Sequence, residues 1–278
     1  MEHAGDPDRP DPGVLADFGV AGVEAVRLPG GRGRTWRAGG VVLHPHGDAA
    51  EAAWKAEVLT ALRPTPEFRT PRPVPTRNGT WTSGEWEASE WLDGATDPSR
   101  VEDVIRAGDA FHLAVAHLAR PGFLDTADDP WSRADRMAWG AAPLPSEPTL
   151  DRLAAAFRPV VTPPQVIHGD LLGNVLFSAD GPPAVFDWAP YWRPPGLGAA
   201  IAAVDAVCWH GVPLDDLGPL GRDVPEWSQL LVRALAFRIA TLQLLGGWDA
   251  ATAAAHRPVV DAVVGAAGSG VLGTLEPS

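Results

Sequence analysis

The chain has 278 residues, 45% hydrophobic and 21% charged, ordinary values for a globular protein with room for one large or two smaller cores. A net charge of −13 argues against a nucleic-acid or anionic-membrane surface, because phosphate backbones select basic patches. The single cysteine, Cys208, excludes an intrachain disulfide and fits a reducing compartment.

Residues 1–19, beginning MEHAGDPDRPDPG, read as a flexible, acidic, proline-rich N-terminus unlike a signal peptide. From 20 to 44 the runs VEAVRL, RTWRA and VVLHP are separated by PGGRG and GG, the punctuation of hairpins. Asp48 caps a predicted helix over 49–62, with Ala53, Trp54, Val58, Ala61 and Leu62 at helical spacing. The link RPTPEFRTPRPVP leads to a hairpin turning at Asn78-Gly79, and WEASEWLDG then reads as a strand running into a loop. Beyond residue 94 the pattern becomes helical. Ser99 to Glu102 fits a capping box, and Val101, Ile105, Phe111, Val115 and Leu118 form one stripe. Gly108 falls on that stripe; at about 1 kcal/mol relative to alanine, a mid-helix glycine there either weakens the case for a helix or marks a close helix contact. Residues 121–148 read as a long loop and 149–158 as a short helix, with further helices over 197–210, 225–246 and 249–266. No run approaches the roughly 20 apolar residues of a membrane span, so no membrane association is expected and the expected location is cytoplasmic. The predicted class is α+β: a small β-rich lobe with one helix over 20–91 and a larger, mainly helical lobe over 92–278. Such bilobal proteins commonly bind a ligand in the cleft.

The chemistry concentrates in VIHGDLLGNVLF, 166–177, and the later PAVFDW. If VLF and AVF pair, Asn174 and Asp187 lie side by side at the open end of a hairpin, with Asp170 in the loop feeding it. Two adjacent oxygen donors and a nearby carboxylate suit a hard cation such as Mg²⁺ that also meets phosphates. The remaining carboxylate can orient a hydroxyl and accept its proton in phosphoryl transfer.

IHGDLLGNVLF followed by VFDW resembles the catalytic segment of the aminoglycoside phosphotransferase and choline kinase superfamily, relatives of the protein kinases. The longer HGDLLGNVLF…DWAPYWRPP is similar to an actinobacterial subgroup of it. The resemblance implies a protein kinase-like bilobal fold and an ATP- and Mg²⁺-dependent phosphotransferase acting on a hydroxyl of a small-molecule acceptor. It makes Asp170 the catalytic base, Asn174 and Asp187 the metal ligands, and His168 a structural brace. It also makes LPGGRGRTW the phosphate-covering turn, with Gly30, Gly31, Gly33 and Arg34, and WEASEWLDG the hinge, with Glu90 and Trp91 beside the nucleotide base.

Two features depart from that pattern. Only Leu171, Leu172 and Gly173 separate Asp170 from Asn174, one fewer than usual, so the loop must turn tightly at Gly173. In VVLHP, His44 stands where a phosphate-binding lysine is expected, and the only lysine, Lys55, lies eleven residues on in the next helix. Arg34 or Arg37 are candidates to compensate, and Glu57, ahead of Glu51, is the expected helix acid. An uncompensated loss amounts to about 2–4 kcal/mol of phosphate binding, which keeps a weakly active or non-catalytic nucleotide-binding protein as the alternative. A metal-dependent hydrolase using the same carboxylates is disfavoured by the hinge-like EASEWLDG. His44 and His46 make no zinc pair, because Pro45 interrupts the strand and no third ligand is evident. His112 and His117 read as helix-surface or satisfied core residues. Asp205, an acid in the apolar AAVDAVCW, is expected to hydrogen-bond the catalytic loop. Asp129 and Trp131 in the 121–148 loop, with Trp188, Tyr191, Trp192 and Arg193, are candidates for the acceptor pocket.

Overall fold

The computed structural model describes residues 8–29 and 33–269. They divide into two compact units: one runs up to Ala95 and includes Phe177–Phe186, and the other holds Thr96–Leu176 and everything from Asp187 onward. In the first unit, α1 (Pro12–Asp17) precedes β1 (Ala25–Arg27), β2 (Trp36–Ala38), β3 (Val41–Pro45), α2 (Ala49–Ala61), β4 (Thr82–Ser83) and β5 (Trp86–Glu90). The strands form an antiparallel sheet in the order β1-β2-β3-β5-β4. Period-two alternation turns Trp36, Ala38, Leu43, Trp86 and Ala88 into one core. Val14, Leu15 and Phe18 of the α1 region join that core. Residues 8–19 are therefore ordered by packing, contrary to the flexible N-terminus expected there; the Asp11 carboxylate accepts the Gly13 and Val14 N–H groups and starts the helix. Asp48 caps α2 by accepting the Glu51 N–H at 2.8 Å. The β3–β5 register sets His44 opposite Glu87.

The chain then enters β6 (Ala95–Thr96), α3 (Val101–Val115), α4 (Phe123–Thr126), α5 (Pro130–Ala138), α6 (Pro148–Ala155), β7 (Gln165–His168) and β8 (Val175–Phe177). It continues through β9 (Ala184–Val185), β10 (Pro190–Arg193), α7 (Gly196–Trp209), α8 (Leu217–Leu220), α9 (Trp227–Leu244) and α10 (Ala250–Ser269). α9 is apolar on nearly every side and is the post of the second unit, with α5, α6, α7 and α10 packed around it. α7 is rich in alanine and buried continuously from Leu197 to Ala206, which lets it lie close to α9. β7 pairs antiparallel with β10, His168 opposite Pro190, and Val166, Ile167 and His168 are all fully buried. Among the described residues no helix is long and apolar enough to cross a membrane.

Two local expectations change. The 121–148 loop contains α5, because Asp129 accepts the Trp131 and Ser132 N–H groups and Pro130 occupies the first helical turn. The capping box at Ser99 does not form; α3 starts at Val101 without a side-chain cap, and the Ser99 hydroxyl donates to Asp97 instead. Gly108 makes its close contact with the loop after β7 and not with another helix, since a Cβ there would sit 2.3 Å from Leu171.

Gly198 is tighter still. A Cβ at this helical position would lie 2.6 Å from the His112 ring and 2.8 Å from the His168 carbonyl oxygen. Glycine-to-alanine in an open helix gains up to about 1 kcal/mol. Gly198→Ala is expected to lose ~1–3 kcal/mol through overpacking, read as a lower urea midpoint at unchanged slope.

Candidate active site

β7 delivers its last residue, His168, into the core. The His168 backbone N–H donates to His112 Nε2 at 2.9 Å. The His168 ring turns back on the loop, its Nδ1 accepting the Asp170 N–H at 3.1 Å and the Ala189 N–H at 3.5 Å. Leu171 and Leu172 are buried anchors, and the Asn174 N–H closes a turn on the Leu171 carbonyl at 2.9 Å. Gly173 makes that closure possible with φ +88, a conformation side-chain-bearing residues resist. The short loop thus closes through the tight turn its spacing requires.

Asn174 Nδ2 donates to the Asp170 carbonyl at 2.7 Å and to Asp170 Oδ2 at 3.2 Å. With the nitrogen so engaged, the amide oxygen is the end of Asn174 left to accept a cation. Asp187 follows β9, and Asn174 immediately precedes β8, its neighbour in a small sheet. Asp187 is exposed, adopts φ +49 and has no hydrogen-bond or ion-pair partner among the described residues. A non-glycine residue there stores about 1–3 kcal/mol of backbone strain, and its carboxylate is uncommitted. No cluster of three or more His, Cys, Asp or Glu side chains suited to a metal occurs among the described residues. One carboxylate and one amide oxygen fit Mg²⁺, which keeps waters and takes its other ligands from phosphates.

Beneath the loop lies a cation that sequence reasoning missed. Arg238 on α9 places Nη2 at 2.6 Å from Asp170 Oδ1 and Nε at 2.8 Å from Asp205 Oδ1, and Nη2 also bonds Asp205 Oδ2. Asp205 therefore reaches the loop through Arg238 rather than by bonding it directly. The Arg238 side chain is 12% exposed and that of Asp205 9%. Burial disfavours the guanidinium charge, but the Asp205 and Asp170 carboxylates outweigh burial and hold Arg238 firmly protonated. The signal was present: a buried acid in α7 needs a cation, and α9 offers only Arg233 and Arg238.

The expected acceptor residues are largely committed elsewhere. Trp188 is 4% exposed, donates Nε1–H to the Ile167 carbonyl and packs edge-on against Phe111, so it belongs to the core rather than to a pocket wall. Arg193 forms a bidentate pair with Asp135, at 2.8 and 2.6 Å, and lies over Trp139. Asp129 is the α5 cap, with Trp131 half-buried in the first turn after it. Tyr191 packs edge-on against Phe237; burial raises its hydroxyl well above the ordinary range, so it stays protonated. Trp192 is half-buried on β10.

The first unit gathers a second set of charges. His44 Nε2 lies 3.1 Å and Lys55 Nζ 3.5 Å from the same oxygen, Glu87 Oε1, and Lys55 also reaches Glu51 at 3.5 Å. Glu57 is exposed and stands apart from this cluster, so the acid facing His44 comes from β5 and not from the helix. Burial favours the neutral form of Glu87, but the His44 hydrogen bond and the Lys55 and His44 charges prevail and hold it at about 2. Arg34 pairs with Glu85 at 2.9 Å and with Asp8 at 3.2 Å, which answers its charge locally. Arg37 lies 4.0 Å over the Trp91 ring, the Trp91 N–H bonds the Gly40 carbonyl, and Glu90 accepts the Arg72 N–H. Gly33 has φ +71; Gly30 and Gly31 lie outside the described residues.

Residues 25–191 match the family model described as the phosphotransferase enzyme family. No curated protein matches the chain in sequence. Among solved structures, an aminoglycoside phosphotransferase from Alicyclobacillus acidocaldarius aligns at a TM-score of 0.58 and 17% identity, covering 94% of this chain and 96% of that one. A thermostable mutant of aminoglycoside phosphotransferase APH(4)-Ia aligns at 0.55 and 15% identity over 92% and 98%. Amicoumacin kinase hAmiN, solved with AMP-PNP, Ca²⁺ and Ami, aligns at 0.51 and 10% identity over 87% and 88%. All three share the two-part arrangement of a small antiparallel sheet and a helical unit.

His112 yields a pH prediction. Burial pulls its imidazole down to about 3, whereas an unfolded histidine binds its proton near 6.5. The unfolded state therefore takes up the extra proton first, and stability falls as pH drops from 6.5 toward 3. Urea unfolding at pH 7, 6 and 5 should show a loss approaching ~1.4 kcal/mol per pH unit, and His112→Gln should flatten that slope.

Proposed function

We propose that this chain, which belongs to the phosphotransferase enzyme family, is a cytoplasmic small-molecule kinase that transfers the γ-phosphoryl group of ATP to a hydroxyl. The observation that carries the reading is the arrangement around Asn174: its nitrogen is locked on Asp170, leaving its oxygen and the uncommitted Asp187 carboxylate as donors. Asn174 and Asp187 would hold Mg²⁺, which would supply charge neutralisation on the phosphates. Asp170 orients the acceptor hydroxyl and takes its proton as the acceptor oxygen bonds to the γ-phosphorus. The bond from that phosphorus to the bridging oxygen breaks, ADP leaves with the electron pair, and the Asp170 proton passes to solvent. Solved relatives lend support, since APH(4)-Ia was captured with ADP and hygromycin B and hAmiN with AMP-PNP. The acceptor is a small molecule, and no nucleic acid takes part.

On the nucleotide side, Lys55 supplies the cation that β3 lacks. The chain's only lysine sits on the same Glu87 oxygen as His44, so the helix provides the lysine and the sheet provides the acid. A second reading, a nucleotide-binding protein with little or no turnover, is favoured by His44 itself, an imidazole paired to Glu87 rather than a fixed cation.

Thermal shifts with ATP, with and without Mg²⁺, test the reading. A Mg²⁺-dependent shift with slow ATP hydrolysis is expected, and no shift at millimolar ATP would sink it. Asp170→Asn should cut turnover by about 10²–10⁴-fold while the shift persists; Asp187→Asn should remove the Mg²⁺ dependence. Lys55→Met should weaken ATP binding by roughly 10-fold or more. Binding without turnover in the wild-type protein would favour the second reading, and a His44→Lys variant that gains affinity would show a weakened clamp.

A further inference from the structure

The geometry points to Arg238 as the positioning residue that sets Asp170 for catalysis, with the buried Asp205 fixing Arg238 in turn. This rests on the kinase reading above, and it concerns a residue that lies outside the 25–191 segment matched by the family model.

Asp170 is a loop residue whose side chain is 44% exposed. A loop carboxylate with that freedom samples several rotamers unless something holds it. Arg238 is that hold, meeting Oδ1 at 2.6 Å, whereas Asn174 touches Oδ2 only at 3.2 Å. Oδ1 is thus the anchored oxygen and Oδ2 the one left to face an acceptor. The anchor is rigid for two reasons. Arg238 and Asp205 stand on α9 and α7, the packed helices at the centre of the second unit. Their own pairing uses both Nε and Nη2 of the guanidinium, a fork that fixes its plane. Asp205 meets Arg238 through two hydrogen bonds and Asp170 meets it through one, so the guanidinium is seated on Asp205 and acts on Asp170 as a hydrogen-bonding bracket. Arg233, five residues earlier on the same helix, differs: it donates to the Ala138 and Arg158 carbonyls and meets no carboxylate among the described residues. A bracket and a mere stitch between helix and loop make different predictions. A stitch affects folding and every activity alike, whereas a bracket affects turnover and spares nucleotide binding.

The test measures Mg²⁺-dependent ATP hydrolysis, with water as acceptor, and the MgATP-induced thermal shift on the full chain. The variants are Arg238→Met, Arg238→Lys, Asp205→Asn, and Asp170→Asn with and without Arg238→Met. Arg238→Met is expected to lower kcat by ~10- to 100-fold, the scale of a misplaced catalytic group, with KM for MgATP and the thermal shift little changed. Asp205→Asn should lower kcat in the same way by a smaller factor. Arg238→Lys should recover part of kcat, since lysine keeps the charge but loses the fork. In the Asp170→Asn background Arg238→Met should slow turnover no further, because the two act as one unit. Unchanged kcat in Arg238→Met, or a double variant carrying the product of both losses, overturns the proposal. If Arg238→Met does not fold, Arg238→Lys decides: wild-type kcat overturns the bracket, and a reduced kcat at unchanged KM supports it. A wild-type protein with no MgATP shift overturns the kinase reading itself, an outcome visible before any variant is made.

Discussion

An arginine taken out of water must be met by charge and by hydrogen bonds, and the second unit is organised around meeting that demand at Arg238. Two apolar helices, α7 and α9, each carry an ionic residue to the same place, and Nη2 of the arginine, already bonded to Asp205, also reaches the loop carboxylate of Asp170. The cost of burying the pair is offset only if its geometry is good and its remaining hydrogen-bonding positions are filled. The same demand therefore dictates where the candidate base lies. Placement of a reactive group by a buried charge pair is more exact than placement by loop packing alone, because a wrong rotamer strands a charge.

Around this centre the loop is held from several sides by neutral contacts. His112 receives the His168 N–H, the His168 ring receives Asp170 and Ala189, and Leu171 seats against Gly108. The contacts come from α3, which supplies both His112 and Gly108, from β7, and from the residue leading into β10. The buried His112 imidazole serves as an acceptor here, and burial holds it neutral. In the first unit the sheet acid Glu87 collects both a histidine and the chain's only lysine. The cluster keeps an ion pair between helix and sheet while exchanging which element carries which sign.

Much of this was legible in the sequence because the relevant signals are short-range. The strand runs, the Asp48 cap, the tight turn at Gly173 and the HGD…N…FDW spacing depend on neighbours within a few residues. α5 was missed although Asp129-Pro130 is a local start signal, since the proline- and tryptophan-rich composition masked it. Arg238, the Lys55–Glu87 pair and the Arg193–Asp135 fork were not legible, because each joins residues that meet only after helices and strands pack. A sequence shows that Asp205 needs a partner; it does not show which of two arginines on one helix turns inward to it. Trp188, read as a pocket wall from its place beside Asp187, proved to be core, because its indole N–H meets the Ile167 carbonyl and its ring meets Phe111, contacts that only the packed fold supplies.

The left-handed backbone at Asp187 has a consequence for how such a site changes over generations. A glycine in its place would relax the strain and lose nothing that the fold needs, since the carboxylate supports no other described group. Mutational drift in a copy relieved of its chemistry would run downhill at this position first, long before the buried Asp205–Arg238 pair could be touched without damage. If the chain is the kinase proposed above, an aspartate kept in that strained conformation sets use against stability at this position.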